Sequence, residues 1–225
     1  MSRVVSPSST RFDSRTEHGK ASQRRTDVYF SADVETDGPI PGPYSLLSFA
    51  LVYAGTFDGG RFTRPTSFDS AIYSELRPIA ETFEPEALRV NGLDRERLLR
   101  EGQLPEVAMT EACAWVKRTA GAGHPVLVAY PLAFDWSWLY WYFVRYSRDG
   151  SPFSHSSCFD IKTAFAVKGR LPMAQAGRSN LYDALRPQQP HQHHALSDAV
   201  EQAQIFGNVF EWEGRDERFP RIPPR

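Results

Sequence analysis

The segment Asp27–Val28–Tyr29–Phe30–Ser31–Ala32–Asp33–Val34–Glu35 constrains this chain more than any other. Its aromatic and β-branched residues ask for a buried strand, yet two acids close it. Side chains two apart on a strand leave by the same face, so Asp33 and Glu35 stand side by side. Carboxylates set together at the edge of a core repel each other and lose hydration. A divalent cation removes that penalty; a twisted strand end turned to solvent avoids it.

Beyond Glu35 the chain reads as strands first and helices later. Asp37–Gly38–Pro39 and Pro41–Gly42–Pro43 break the first strand. A second covers residues 45–54, where Leu46, Leu47, Phe49, Leu51, Val52 and Tyr53 cluster, and a turn at Asp58–Gly59–Gly60 leads to a third near residues 61–63. These three predict an antiparallel meander. A polar helix over 94–101 comes after the break at Asn91–Gly92. A stronger one over 105–120 carries a stripe of Val107, Ala108, Cys113, Ala114 and Val116. Residues 125–130 then form a short buried strand, and Asp135 opens an aromatic helix that ends near Arg145. Cys158–Phe159–Asp160 is a further short strand, before a helix with Ala164, Phe165, Ala166 and Val167. The last helix runs from His194 through Phe206.

This order predicts a single α/β domain with a mixed sheet over residues 27–210. With 225 residues, 41% of them hydrophobic, the chain suits one substantial core. Residues 1–26, rich in Ser, Thr, Arg and Gln, are expected to form a disordered tail, and residues 211–225 an irregular one. Lys and Arg number 26 against 27 Asp and Glu, which argues against a protein that coats long nucleic acid through its overall field. Any nucleic-acid contact must be local. Cys113 and Cys158 are too few for a disulfide framework, and no secretory or membrane-spanning run stands out. A soluble, cytoplasmic protein with no membrane contact is expected.

Three further positions join the acid pair. Asp135 lies just past the strand over 125–130, at the end where open α/β sheets place their sites, although an Asp there also suits a helix N-cap. Asp198 falls in the first turns of the last helix, with His193 on the loop before it. Zinc is disfavoured, because no paired Cys spacing or His-Glu-x-x-His pattern accompanies His191, His193 and His194. Four hard carboxylates, Asp33, Glu35, Asp135 and Asp198, favour Mg²⁺ or Mn²⁺.

Asp33–Val34–Glu35–Thr36, Phe134–Asp135 and the pair His193 and Asp198 together resemble the DEDDh group of 3′–5′ exonucleases, over about residues 27–210. That resemblance implies an RNase H-like fold with a central five-stranded mixed sheet flanked by helices. It implies two metal ions held by Asp33, Glu35, Asp135 and Asp198, with His193 as general base and Thr36 beside the terminal nucleotide. The implied reaction hydrolyses single-stranded or frayed DNA or RNA 3′ ends to nucleoside 5′-monophosphates. Several relatives are homodimers, so a homodimer is an expectation too. Asn91–Gly92–Leu93 also matches a family segment. Two departures weaken any transfer of substrate preference: Tyr130–Pro131–Leu132–Ala133 stands before Phe134–Asp135, and Asp37 replaces a common Thr. Within the aromatic helix, Trp136 is the substrate-stacking candidate because it comes directly after Asp135. The alternatives are a non-enzymatic nucleic-acid or protein-interaction module on this fold, and another metal-dependent nucleotide phosphohydrolase.

Overall fold

The computed structural model describes residues 26–187 and 192–214. Residues 1–25 and 215–225, which carry most of the two expected tails, lie outside that range, as does His191.

Strand β1 (Asp27–Thr36) is buried along almost its whole length. Val28, Phe30, Ala32 and Val34 enter one hydrophobic cluster and Tyr29 the opposite one, so the strand is covered on both faces. β2 (Leu46–Phe57) pairs with β1 antiparallel, with irregularities between Tyr29 and Phe30 and between Glu35 and Thr36. β3 (Phe62–Thr63) pairs with Thr56 and Phe57, and β4 (Ala71–Glu75) with the stretch from Ser48 to Val52. β5 (His124–Ala129) runs parallel to β1, and β6 (Cys158–Asp160) parallel to β5. The order is β3-β2-β1-β5-β6, with β4 also on β2. β3 and β4 share the outer edge of β2, so the expected five strand positions hold six strands. β4 escaped the sequence reading because Ala71, Ile72, Tyr73 and Glu75 are all only half-buried, and its pattern shows no clear alternation.

Helices α1 (Pro85–Asn91) and α2 (Arg95–Glu101) come after the meander. Asp94 caps α2 by accepting the Arg97 N–H at 3.0 Å. α3 (Pro105–Ala120) and α4 (Leu132–Tyr146) cover the Phe30 face of the sheet. Trp138, Leu139, Tyr142 and Phe143 of α4 are fully buried there, so most of the aromatic supply is core. Burying Leu139 or Phe143 contributes about 1.5–3 kcal/mol each. α4 begins three residues before Asp135, with Pro131 at its N-cap position. Asp135 therefore sits in the first turn and is not the cap.

The opposite face carries α5 (Ile161–Gly169) and α6 (Ala195–Glu211). Three short 3-10 turns, Met173–Gln175, Arg178–Asn180 and Asp183–Leu185, join them. Ala195, Ala199 and Ala203 recur every four residues on α6 and are buried. Such a small-residue row lets a helix backbone approach a sheet closely. α6 continues beyond the expected Phe206. The Lys168 ammonium donates to the Val209, Phe210 and Trp212 carbonyls at 2.9, 2.8 and 2.6 Å, satisfying the helix end, and Trp212 packs on Phe165 and Tyr182. No helix among the described residues is long and apolar enough to cross a membrane.

Candidate active site

Asp33 and Glu35 leave β1 on the Tyr29 side, the side that α6 covers. The alanine row brings α6 close, and Asp198, in its first turn, meets the pair there. One carboxylate oxygen from each of Asp33, Glu35 and Asp198 lies within 4.8 Å of the others. The Gln192 N–H donates to Asp198 Oδ1 at 2.9 Å, holding that carboxylate from the loop side. All three acids line a cleft of about 690 Å³ that also takes in Asp135 and His193.

Asp135 belongs to the cleft but stands apart from the tight triple. It arrives from the first turn of α4, at the carboxyl end of β5, which neighbours β1. His193 is exposed at the rim, and its backbone sits in the left-handed region at φ 52°. A non-glycine residue held there is uncommon and concentrates at functional sites.

The acids burden one another electrostatically. Burial, then the charges of Asp135, Glu35 and Asp198, push the Asp33 carboxyl well above its ordinary range, with Arg178 opposing. Burial and Asp198 push Glu35 up to about 7. Burial raises Asp135 to about 7 as well, although backbone N–H groups of Asp135 and Val34 and the Arg178 guanidinium pull the other way. Like charges gathered in a partly desolvated cleft are what a cation would relieve. The donor set is hard oxygen, and among the described residues no His or Cys joins this triple. Hard divalent ions fit it.

Several residues lining the cleft or buried behind it were not singled out in the sequence. Arg178, on a 3-10 turn, donates from Nη2 to the Tyr130 carbonyl at 2.9 Å and pairs through Nη1 with Glu201 at 3.2 Å. Lys162 and the 41%-exposed ring of Phe134 also line the cleft. Gln202 donates from Nε2 to Asp33 Oδ1 at 2.6 Å. Its place one helical turn after Asp198 was a readable signal; for Arg178 no periodic element offered one.

Two candidates fall elsewhere. The Thr36 hydroxyl is buried and donates to the Gly38 carbonyl at 2.8 Å, which folds it into its own loop. Trp136 does not line the cleft; its ring stacks on Tyr140, with centroids 4.9 Å apart. His194 stacks on Tyr73 at 5.1 Å. Asn91 Nδ2 donates to the Thr36 carbonyl at 3.0 Å, so the Asn91–Gly92–Leu93 segment braces the end of β1.

No protein-family model matches the chain. It is 34% identical over 185 residues to the 3′-5′ DNA exonuclease Cap18 of Escherichia coli, covering 81% of this chain and 92% of that protein. Ribonuclease T of Shewanella denitrificans is 28% identical over 182 residues, covering 79% of this chain and 77% of that protein. The fold is similar to the nuclease domain of 3′hExo, a DEDDh family member bound to rAMP. That match has a TM-score of 0.61 and 12% identity, and covers 86% of this chain and 96% of that one. The mixed sheet with an acidic cleft at its strand ends, together with 34% identity to a named 3′-5′ exonuclease, defines a nuclease. The chain belongs to the DEDDh family of 3′–5′ exonucleases, which is metal-dependent.

Proposed function

We propose that this chain releases nucleoside 5′-monophosphates one at a time from single-stranded or frayed 3′ ends, with DNA as the foremost substrate. The observation that carries the reading is the meeting of Asp33, Glu35 and Asp198 within 4.8 Å, in a cleft that Asp135 and His193 also line. Two divalent ions, Mg²⁺ or Mn²⁺, held by Asp33, Glu35, Asp135 and Asp198, would stabilise charge on the attacking and leaving oxygens. His193, at the solvent-facing rim, accepts the proton of the attacking water, a task suited to imidazole. Arg178 and Lys162 give phosphate oxygens cationic partners inside an acidic cleft. Phe134 offers an exposed ring face on which a terminal base can stack.

Likeness to a DNA exonuclease at 34% identity supports DNA, and likeness to a ribonuclease at 28% supports RNA as the second reading. Residues 27–210, with Glu211 ion-paired to Arg64 and Trp212 packed onto them, are proposed as the catalytic unit. A homodimer is proposed from the family resemblance, and light scattering reads it directly. A cytoplasmic setting is proposed from the free thiols of Cys113 and Cys158.

The decisive assay tracks 5′-labelled DNA and RNA oligonucleotides in Mg²⁺, Mn²⁺ or EDTA, with chromatography of the released nucleotide. The expected result is a ladder shortening from the 3′ end, release of 5′-monophosphate, and silence in EDTA. Cleavage inside the strand, or turnover indifferent to EDTA, overturns the reading.

A further inference from the structure

Gln202 is fully buried, one helical turn beyond Asp198 on α6. Its Nε2 donates to Asp33 Oδ1 at 2.6 Å, and its Oε1 accepts the Tyr130 backbone N–H at 2.5 Å. Tyr130 is the residue directly after β5 and opens the link into α4, which carries Asp135. One carboxamide therefore ties together β1, α6 and the β5–α4 link, the segments that bear Asp33, Asp198 and Asp135.

The orientation of that amide is dictated by its neighbours. A backbone N–H can only donate, so it must meet Oε1, and this turns the NH₂ group toward Asp33. Neither ionised glutamate nor methionine, both of similar volume, serves both partners. Glutamate would set a second carboxylate against Asp33. Methionine would fill the space but leave the Tyr130 N–H without its acceptor and let the Asp33 carboxylate rotate. The hydrogen bond uses one lone pair of Oδ1 and leaves the rest of the carboxylate free to bind a cation.

We propose that Gln202 is a positioning residue of the cation site, setting the rotation of the Asp33 carboxylate and its spacing from Asp198 before a cation arrives. This rests on the proposed metal-dependent function. Outer hydrogen bonds that orient ligands typically govern metal affinity by 10–100-fold. A buried glutamine with only a structural role would change stability and leave cation affinity alone.

The experiment measures Mn²⁺ affinity and stoichiometry by electron paramagnetic resonance on the full chain, comparing the native protein, Gln202→Met and Asp33→Asn. Gln202→Met is expected to bind Mn²⁺ about 10–100-fold more weakly while keeping the native circular dichroism spectrum. Its kcat should fall, with KM for an oligonucleotide unchanged. A second measurement needs no variant: the Gln202 side-chain amide resonances of the native protein should shift during a Mg²⁺ titration. Native-like Mn²⁺ binding by folded Gln202→Met overturns the proposal, and so do amide resonances that stay still through saturation. A native chain that binds no Mn²⁺ removes the metal reading itself. Equal binding by native and Gln202→Met chains removes this inference alone.

Discussion

Asp33 and Asp37 are buried carboxylates at the same end of β1, and the fold treats them in opposite ways. Asp37 is fully enclosed. Its Oδ2 accepts from Arg95 Nε at 3.0 Å and its Oδ1 from the Ser45 N–H at 2.5 Å. Arg95 also donates to the Ala80 carbonyl and lies over the Phe83 ring at 4.9 Å. Asp33 instead faces Glu35, Asp135 and Asp198, with a neutral amide as its hydrogen-bond partner and Arg178 as a counterweight. A carboxylate given a guanidinium partner becomes a joint that closes a loop. One surrounded by other carboxylates is unstable alone, and it makes sense as a site.

The largest expected effect breaks the second kind. Asp33→Asn should drop exonuclease turnover to the assay background while the metal-free protein melts higher than the native one, because a repelling charge has gone. Each kcal/mol so recovered raises Tm by about 2–4 °C in a chain of this size. A calorimetric Tm in EDTA that falls instead would show that Asp33 is a structural joint like Asp37.

Arg95→Ala attacks the joint. Removing one partner of a buried ion pair costs about 3–5 kcal/mol, and Tm should fall by on the order of 10 °C. Mn²⁺ affinity, measured where the variant remains folded, should not change. A lost cation site with an unchanged Tm would reverse the two roles.

A smaller effect separates two aromatic residues that flank Asp135. Phe134→Ala should weaken binding of a single-stranded oligonucleotide by about 1–3 kcal/mol, read by anisotropy on the Asp33→Asn background. Trp136→Ala should leave that affinity unchanged, since its ring is stacked on Tyr140 away from the cleft. Equal losses for both would return Trp136 to the substrate side.

The smallest expected effect is the response of the metal-free protein to pH. Glu35 and Asp135 are held up to about 7, mainly by burial. Between the ordinary carboxylate range and about 7 the folded chain keeps protons that the unfolded chain has released, so stability falls as pH rises through that window and levels off above it. Scanning Tm in EDTA from acid to neutral should show the decline, and Mn²⁺ should reverse it by replacing the protons. A Tm in EDTA that climbs over the same window would mean that the acids already have cationic partners.

Much of the fold was legible because it rests on local periodicity. The bounds of α3 match the sequence reading, and β1, β2, β5 and β6 lie where apolar runs placed them. The shared face of Asp33 and Glu35 comes from strand geometry alone. Phe134 was missed because adjacency in sequence is a poor guide on a helix. Residues two apart are about 200° apart around the axis, so only one of Phe134 and Trp136 can open toward the cleft. The Asp37–Arg95 joint spans 58 residues and the Gln202–Asp33 contact 169. No local pattern announces a partner so distant.

The sequence by itself determined most of the strands and helices in their order, β4 and α1 excepted, the face from which each acid leaves β1, and the set of motifs that mark the family. Tertiary structure decided which carboxylates meet one another, which one is neutralised by Arg95, and which ring opens to the cleft. Backbone periodicity sets the direction of a side chain within its own element. Whether its charge is answered depends on what another element brings to that point, and only packing settles that.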